Sequence, residues 1–197
     1  MINVSKQNKP SYECMIIAET AYELAKQAKE YSWKQYHCST GFVFLAFAIE
    51  AMFIFYRRQV DSNYDKTNDR SGRKDFHKKT MNLCGIGDLL GSRDYQTIKK
   101  CLLFRDNIAH GDFFESKFPF MPSGEDEHND HVNEILSQPS KQFRITVSEL
   151  NDGICAAKCV DNLICENGYQ VSNTFIERKY MPRLQPAFGV SGISTWL

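Results

Sequence analysis

Apolar residues recur at helical spacing along most of this chain, and the pattern predicts an all-α fold, a bundle of four to five helices. The first helix is predicted over residues 11–36, starting beside Pro10, and the second over about 39–60. The second is apolar on most of its sides, which is typical of a helix at the centre of a bundle. A third is predicted over 92–109, where Gly111 is suited to end it.

A fourth helix is predicted to run to about Glu166. Its start is indicated by the capping-box pattern Thr146-x-x-Glu149, and Ser148 is an alternative N-cap. Just before it, apolar and polar residues alternate over 142–147, and this alternation is compatible with a short strand.

The segments between and after these helices are polar or irregular. Residues 61–79 predict a long loop that becomes helical near its end, and 112–140 predict an irregular insertion, first aromatic and then acidic. The chain therefore divides into a helical domain over 11–169 and an extended, irregular C-terminal tail over 170–197.

Composition narrows the class of protein. The 197 residues include 24 basic and 24 acidic side chains, so the formal net charge is zero. Proteins that coat nucleic acid by bulk electrostatics usually carry a basic excess, so this class is disfavoured. A local basic groove is still compatible with the sequence.

The sequence favours a cytoplasmic protein with no membrane partner. Its first residues lack the charged-then-apolar pattern of a secretory leader, and the longest apolar run, 41–56, is interrupted by Glu50. That run is shorter than the roughly 20 residues of a membrane span. Seven cysteines, an odd number, predict reduced and mostly buried thiols.

The third predicted helix places an arginine in its core-facing stripe. Arg105 occupies a position where the helical spacing calls for an apolar residue. Because an arginine keeps its charge, it needs either an ionic partner, with Glu50 the candidate, or a cleft or dimer interface in which it can meet a phosphate. Both alternatives stay open. The other members of the stripe are Ile98, Cys101, Leu102, Ile108 and Ala109.

His110 follows Arg105 by five residues. At about 100° per residue it points roughly 140° away from Arg105, so the two side chains converge only because the helix ends at Gly111 and arginine is long. A histidine that exchanges protons near neutral pH beside a fixed cation suits phosphodiester cleavage.

The segment Leu102-Leu103-Phe104-Arg105-Asp106-Asn107-Ile108-Ala109-His110-Gly111 resembles the signature of the HEPN superfamily. These are compact four- or five-helix domains in which an arginine, a polar residue and three further residues precede a histidine at the end of a helix. The apolar helix that contains Glu50, and the helix introduced by residues 145–149, are also similar to that family. The resemblance covers about 11–169, leaving the insertion and the tail unexplained.

The resemblance implies a metal-independent endoribonuclease that dimerises, so that two motifs build one site. His110 is then the general base or acid, Arg105 steadies the charge of the pentavalent phosphate, and Asp106 orients these side chains or the RNA. Asn107 is implied to hydrogen-bond the nearby backbone, and Glu50 to support the site. The products are expected to carry 2′,3′-cyclic phosphates.

The resemblance also implies the setting and the partners. We expect RNA and a second copy of the chain as partners, no cofactor, and a role in a toxin–antitoxin or antiphage system with an antitoxin or other partner protein. Arg73 and Lys74, in a basic cluster over 70–79, are candidates to contact the RNA backbone, although interspersed acids favour a solvated loop. The alternative is a catalytically inactive HEPN-like interaction or nucleotide-binding module. A third interpretation is an ordinary helical domain in which Arg105 pairs with Glu50.

A zinc site is disfavoured. His128-x-x-His131 and Cys155-x-x-x-Cys159 contain four plausible ligands, but they lack the usual paired spacing. We expect two solvated histidines and two buried thiols, and no metal.

Overall fold

The computed structural model describes residues 3–6, 9–111, 144–171, 183–189 and 193–196, and it confirms the all-α class. The five α-helices of these residues are α1 (Pro10–Gln27), α2 (Tyr31–Val60), α3 (Arg73–Leu83), α4 (Arg93–His110) and α5 (Val147–Asn167). A 3₁₀ helix, Gly87–Gly91, lies between α3 and α4. Two short strands, β1 (Asn3–Lys6) and β2 (Ile193–Trp196), pair antiparallel.

The central helix of the bundle is α2, which packs against each of the other four α-helices. Its large apolar side chains, including Leu45, Ile49 and Phe53, are fully buried. The approach of α5 to α2 is close because two glycines permit it. A Cβ added at Gly41 or at Gly153 would lie within 2.8 Å of a leucine side chain on the opposite helix.

By length and composition, α2 is also apolar enough to cross a membrane. It is 30 residues long, and its most apolar window has a mean hydropathy of 2.0. Core helices of soluble proteins meet the same criterion, and half of the residues in this window are buried inside the bundle. The run predicted as too short for a span is thus part of a longer helix, and the cytoplasmic location stays a prediction.

Two sequence-based boundaries are corrected. The predicted helix over 11–36 is two helices, because Ala28 turns the chain through an extended conformation and α2 begins at Tyr31. The predicted strand over 142–147 is absent from its described part, since residues 144–146 belong to no strand and Val147 is helical. The loop over 61–79 becomes helical near its end, as predicted, with α3 starting at Arg73. The insertion over 112–140 lies outside the described residues.

The helix ends match their sequence signals. Thr146 and Glu149 form the predicted capping box, with Glu149 N 3.1 Å from Thr146 Oγ1 and Thr146 N 2.9 Å from Glu149 Oε2. Ser92 caps α4 by accepting from Tyr95 N at 3.1 Å. At the other end Gly111 has a φ of 63°, the left-handed conformation that ends a helix.

Part of the predicted tail belongs to the bundle. Residues 183–189 pack against α1, α2 and α5, with Leu184 and Ala187 buried. Ala187 N donates to Tyr56 Oη at 3.1 Å and to Asp161 Oδ1 at 2.9 Å, and Ser11 Oγ donates to Ala187 O at 2.7 Å. This segment is irregular, with a turn at residues 187–188, and it completes the core.

All seven cysteines are free thiols. Cys38, Cys84 and Cys101 are buried. The prediction that the thiols are mostly buried is wrong for the others: Cys155 is exposed, and Cys14, Cys159 and Cys165 are intermediate.

Candidate functional site

Four side chains from three helices form a charge cluster, namely Glu50 of α2, Arg73 of α3, and Arg105 and Asp106 of α4. Arg73 makes two hydrogen bonds to Asp106, Nη1 to Oδ2 at 2.5 Å and Nη2 to Oδ1 at 2.9 Å, and its Nε donates to Glu50 Oε1 at 3.2 Å. Arg105 Nη2 donates to the same Glu50 oxygen and lies 3.1 Å from Asp106 Oδ1. Each arginine therefore contacts both carboxylates, and the formal charges of the cluster cancel.

Arg105 marks the point at which the apolar stripe of α4 leaves the core. Ile108 and Ala109, predicted to face the core, are exposed, because the end of α4 extends past the edge of the bundle. The Arg105 side chain is 17% exposed, and its guanidinium lies 5.5 Å from the centre of the Phe47 ring. Three buried residues precede it on the stripe: Ile98, Cys101 and Leu102.

One of the two interpretations of Arg105 is confirmed, and the cleft or dimer interface stays a prediction. The ion pair with Glu50 is present. The guanidinium nevertheless lies at the surface edge, and its Nε is a buried donor with no acceptor among the described residues. Arg105 is thus a cation held in a fixed position by carboxylates, with part of its surface open to solvent.

His110 joins the cluster through Asp106. The two residues are four apart on α4, so they share a helical face, whereas Arg105 lies on a neighbouring face. Arg73 lowers the pKa of the Asp106 carboxyl, first by its hydrogen bonds and then by its charge, and the nearby charges of Arg105 and His110 lower it further. His110 is exposed and makes no hydrogen bond or ion pair with the other described residues.

Two of the predicted site residues lie away from the cluster. Asn107 is exposed and lines a groove between α4 and α5, beside Lys100 and Cys155. Lys74 is exposed on α3, although the neighbouring Arg73 lies in the cluster. The basic segment over 70–79 is therefore only partly the solvated loop that its acids suggested.

Next to the cluster is a cavity that sequence analysis missed, and we call it the aromatic pocket. It has a volume of about 290 Å³ and shares Glu50 and Arg73 with the charge cluster. The remaining lining residues are Ile54, Tyr64, Lys66, Asp69, Ser71, Phe76 and His77. No local motif marks this pocket, because α2, α3 and the loop between them supply its walls.

His77 illustrates what the sequence did not reveal. It belongs to the polar stretch over 61–79, but it lies on α3 and is only 2% exposed. Its ring stacks on Phe53 with centroids 3.7 Å apart, and Nδ1 lies 3.1 Å from the Tyr95 hydroxyl. Burial, with a smaller contribution from the charge of Arg73, lowers the pKa of His77 to about 3. This histidine is therefore neutral at physiological pH, unlike a proton carrier.

The described residues contain no group of three or more metal-ligating side chains. Of the four zinc candidates, Cys155 is exposed and Cys159 is half-buried, so the expectation of two buried thiols is wrong. His128 and His131 lie outside the described residues.

The site as described is a pair of arginines fixed by two carboxylates, beside an exposed histidine and a small aromatic cavity. In comparisons with known proteins, the chain matches no family model, no curated protein and no solved structure.

Proposed function

We propose that this protein is a metal-independent endoribonuclease of the HEPN type that works as a homodimer. The observation that supports the proposal most is the position of Arg105. Glu50 and Asp106 hold it at the edge of the bundle. It directly precedes Asp106 on α4, and Asp106 shares a helical face with His110. A fixed cation beside an exposed histidine is the minimum equipment for RNA cleavage through the 2′-hydroxyl.

In the proposed reaction the ribose 2′-oxygen attacks the adjacent phosphorus while His110 takes the 2′-hydroxyl proton. The new O2′–P bond forms as the P–O5′ bond breaks, and the departing 5′-oxygen takes a proton from an imidazolium. Arg105 stabilises the negative charge that develops on the phosphate oxygens. The products are a 2′,3′-cyclic phosphate and a 5′-hydroxyl, and neither oxidant nor metal takes part.

Dimerisation supplies what one chain lacks. The reaction needs a base and an acid at the same phosphate. Among the described residues of one chain, His110 is the exposed histidine that lies beside the charge cluster, so one chain offers one of these two groups. A second copy brings a second His110 to the shared site. The surface around the cluster is suited to such contact, since Phe47 and Ile108 are large apolar residues that are 40% and 38% exposed.

The inactive interaction or nucleotide-binding module is the alternative, and one observation favours it. The carboxylates of Glu50 and Asp106 already neutralise both arginines, which weakens their attraction for a phosphate. A role in a toxin–antitoxin or antiphage system stays an expectation from the resemblance alone.

The test is cleavage of a mixed RNA pool in EDTA by the wild type, Arg105→Ala and His110→Ala, at equal folded dimer content measured by light scattering. We expect the wild type to leave cyclic-phosphate ends and both variants to lose at least about a hundredfold in rate. Arg58→Ala, an exposed arginine of α2 outside the cluster, is the matched control and should retain activity. An inert wild type, or variants that cut equally well, would favour the inactive module.

A further inference from the structure

The aromatic pocket adjoins the charge cluster through two shared residues. Glu50 and Arg73 contact the other cluster members and also line the pocket. A ligand with one group at the cluster is therefore within reach of the pocket. Two larger cavities include no residue of the cluster. One, of about 650 Å³, lies beside the loop between α2 and α3 and shares Tyr64, Asp69 and Ser71 with the aromatic pocket, and the other, of about 710 Å³, lies between α4 and α5.

The walls of the pocket are fixed from behind. Arg57 is 1% exposed, and its guanidinium lies 5.9 Å from the centre of the Tyr64 ring and 5.3 Å from that of Phe76. It is itself held by Asp61, whose Oδ2 accepts from Arg57 Nε at 3.0 Å. His77 is held by its stacking on Phe53. A binding site with supported walls loses little conformational entropy when a ligand enters.

The lining combines flat apolar surface with hydrogen-bonding groups. Tyr64, Phe76 and Ile54 provide the apolar part. Asp69 and Lys66 add an acceptor and a donor at the opening, and Ser71 N donates to Asp69 Oδ1 at 2.9 Å. Aromatic walls with a few polar groups recognise a splayed nucleobase, which stacks on rings and presents donors and acceptors at its edge. The volume of about 290 Å³ is near the lower end of small-molecule sites, roughly 300–1,000 Å³, and is compatible with a single base.

We propose that the aromatic pocket binds one nucleobase of a nucleoside phosphate whose phosphate lies at the charge cluster. Arg73 joins the two halves of this site, since its side chain is 34% exposed and borders both. The proposal rests on the proposed function, because in the nuclease the bound base is the one next to the scissile phosphate. The pocket then decides which nucleotide precedes or follows the cut.

The first experiment measures binding without cleavage. Calorimetry compares the four nucleoside 3′-monophosphates with ribose 5-phosphate, which has no base, on the wild-type protein. At least one nucleotide should bind roughly ten- to a hundredfold tighter than ribose 5-phosphate. Ile54→Trp, which fills the pocket, should lower the affinity for that nucleotide to the affinity for ribose 5-phosphate.

Two further variants keep the test decisive. Ile17→Trp makes the same exchange at an exposed position of α1, 40% exposed and outside the site, and should bind like the wild type. If Ile54→Trp is unfolded by circular dichroism, Ser71→Tyr replaces it, since Ser71 is exposed at the opening and requires no repacking. The proposal of a base-binding pocket would be overturned if the nucleotides bind no tighter than ribose 5-phosphate. It would also be overturned if the variants with a filled pocket bind nucleotides like the wild type.

The second experiment maps cleavage sites on the RNA pool for the same proteins. If the wild type cuts, filling the pocket should change the nucleotide preference at the cut. Unchanged preference would reject the pocket and leave the nuclease intact. If the wild type does not cut but nucleotide binding depends on the pocket, the nuclease is rejected and the nucleotide site stands, as in a binding module.

Discussion

At the scale of single residues, His77 beside the candidate site should make the stability of the protein depend on pH, because it is buried. His77 has no carboxylate partner among the described residues, so burial costs its protonated form hydration without a compensating ion pair. This burial, and to a smaller extent the charge of Arg73, lowers its pKa to about 3. In the unfolded chain a histidine takes up a proton near pH 6.5. The unfolded state therefore binds more protons below that pH, and the free energy of unfolding contributed by this group decreases as the pH falls from about 6.5 towards 3.

We therefore predict that His77→Phe makes the free energy of unfolding less dependent on pH between about 6.5 and 4. Phenylalanine keeps the ring on Phe53 and cannot be protonated. Urea denaturation at several pH values measures the slope. Tyr95→Phe is the control, because it removes the hydroxyl near Nδ1 and keeps the histidine, so it should shift the curve and preserve its slope. Equal slopes for the wild type and His77→Phe would show that His77 titrates normally in the folded protein.

The second residue-scale prediction concerns Arg73 and Asp106. Their two parallel hydrogen bonds are partly shielded, with side chains 34% and 24% exposed. A double-mutant cycle with Arg73→Met and Asp106→Asn should give a coupling energy of up to about 1 kcal/mol, because the pair is bidentate but still reached by solvent. The coupling should decrease in high salt.

The exposed pair Lys26–Glu23 is the matched comparison for that cycle. Its side chains are 46% and 56% exposed, and one ammonium nitrogen donates to both Glu23 oxygens, without the two parallel hydrogen bonds that a guanidinium makes. We expect a smaller coupling there. If the two pairs have equal coupling energies, the contact between Arg73 and Asp106 is no stronger than an ordinary ion pair on the surface.

At the scale of elements, the sequence predicted helices better than it predicted where they turn. The stripe of α4 and the capping box of α5 follow from spacing and side-chain chemistry. The capping box is confirmed, and the stripe is confirmed for Ile98, Cys101 and Leu102 but not for the last turn of α4. The turn at Ala28 has neither glycine nor proline, and apolar spacing continues on both sides, so one helix was predicted where there are two. The packing of α1 against α2 determines that turn.

The same limit applies to the candidate site. Glu50 was predicted as one of two alternatives for Arg105, because an acid inside an apolar helix is a conspicuous partner for a cation. The two hydrogen bonds between Arg73 and Asp106 depend on the path of a polar loop, which carries no periodicity. The aromatic pocket depends on tertiary packing in the same way. Local patterns therefore predicted the contact between Arg105 and Glu50, whereas chain topology determined the contact between Arg73 and Asp106 and the position of the aromatic pocket.

The C-terminal end of α4 positions His110, and the conformation of one glycine, Gly111, ends this helix. Gly111 has a φ of 63°, and the space around its missing Cβ is open. Gly111→Ala should therefore reduce the free energy of unfolding by about 1–2 kcal/mol through backbone conformation alone. Asparagine, which tolerates this conformation better, should cost less. Thermal or urea denaturation provides the measurement.

Gly91→Ala is the control for that substitution. The surroundings of Gly91 are equally open, but its φ is not in the left-handed region, so alanine there should be neutral or slightly stabilising. If the two alanine variants are equally stable, the left-handed end of α4 is not what Gly111 provides. A loss of RNA cleavage in Gly111→Ala at full folding would then point to the position of His110 instead.

At the scale of the whole molecule, the bundle is closed by a segment near its C-terminus. Asp161 is 3% exposed on α5, and burial raises its pKa, while hydrogen bonds from Tyr56 and Ala187 lower it. Tyr56 is itself fully buried and donates to Asp161 Oδ1. The segment over 183–189 therefore supplies a backbone N–H that the interior of the helices needs.

The last prediction separates this polar connection from simple apolar packing. Asp161→Ala removes the acceptor shared by Tyr56 and the Ala187 amide, so the local opening of 183–189 should become about 1–3 kcal/mol easier. Amide hydrogen exchange at Ala187 should then be at least about tenfold faster. Tyr56→Phe should have a smaller effect, because Asp161 still accepts from Ala187 N at 2.9 Å.

The opposite outcome is equally informative. If exchange at Ala187 is unchanged in Asp161→Ala, the segment is held by the burial of Leu184 and Ala187, at 5% and 0% exposure, and by its other hydrogen bonds, such as the one from Ser11. The buried carboxylate would then be a cost that the fold tolerates, since burial disfavours its charged form. If exchange is faster, Asp161 and Tyr56 bind the C-terminal segment to the helices, and the helical domain extends beyond the boundary that the sequence predicted at residue 169.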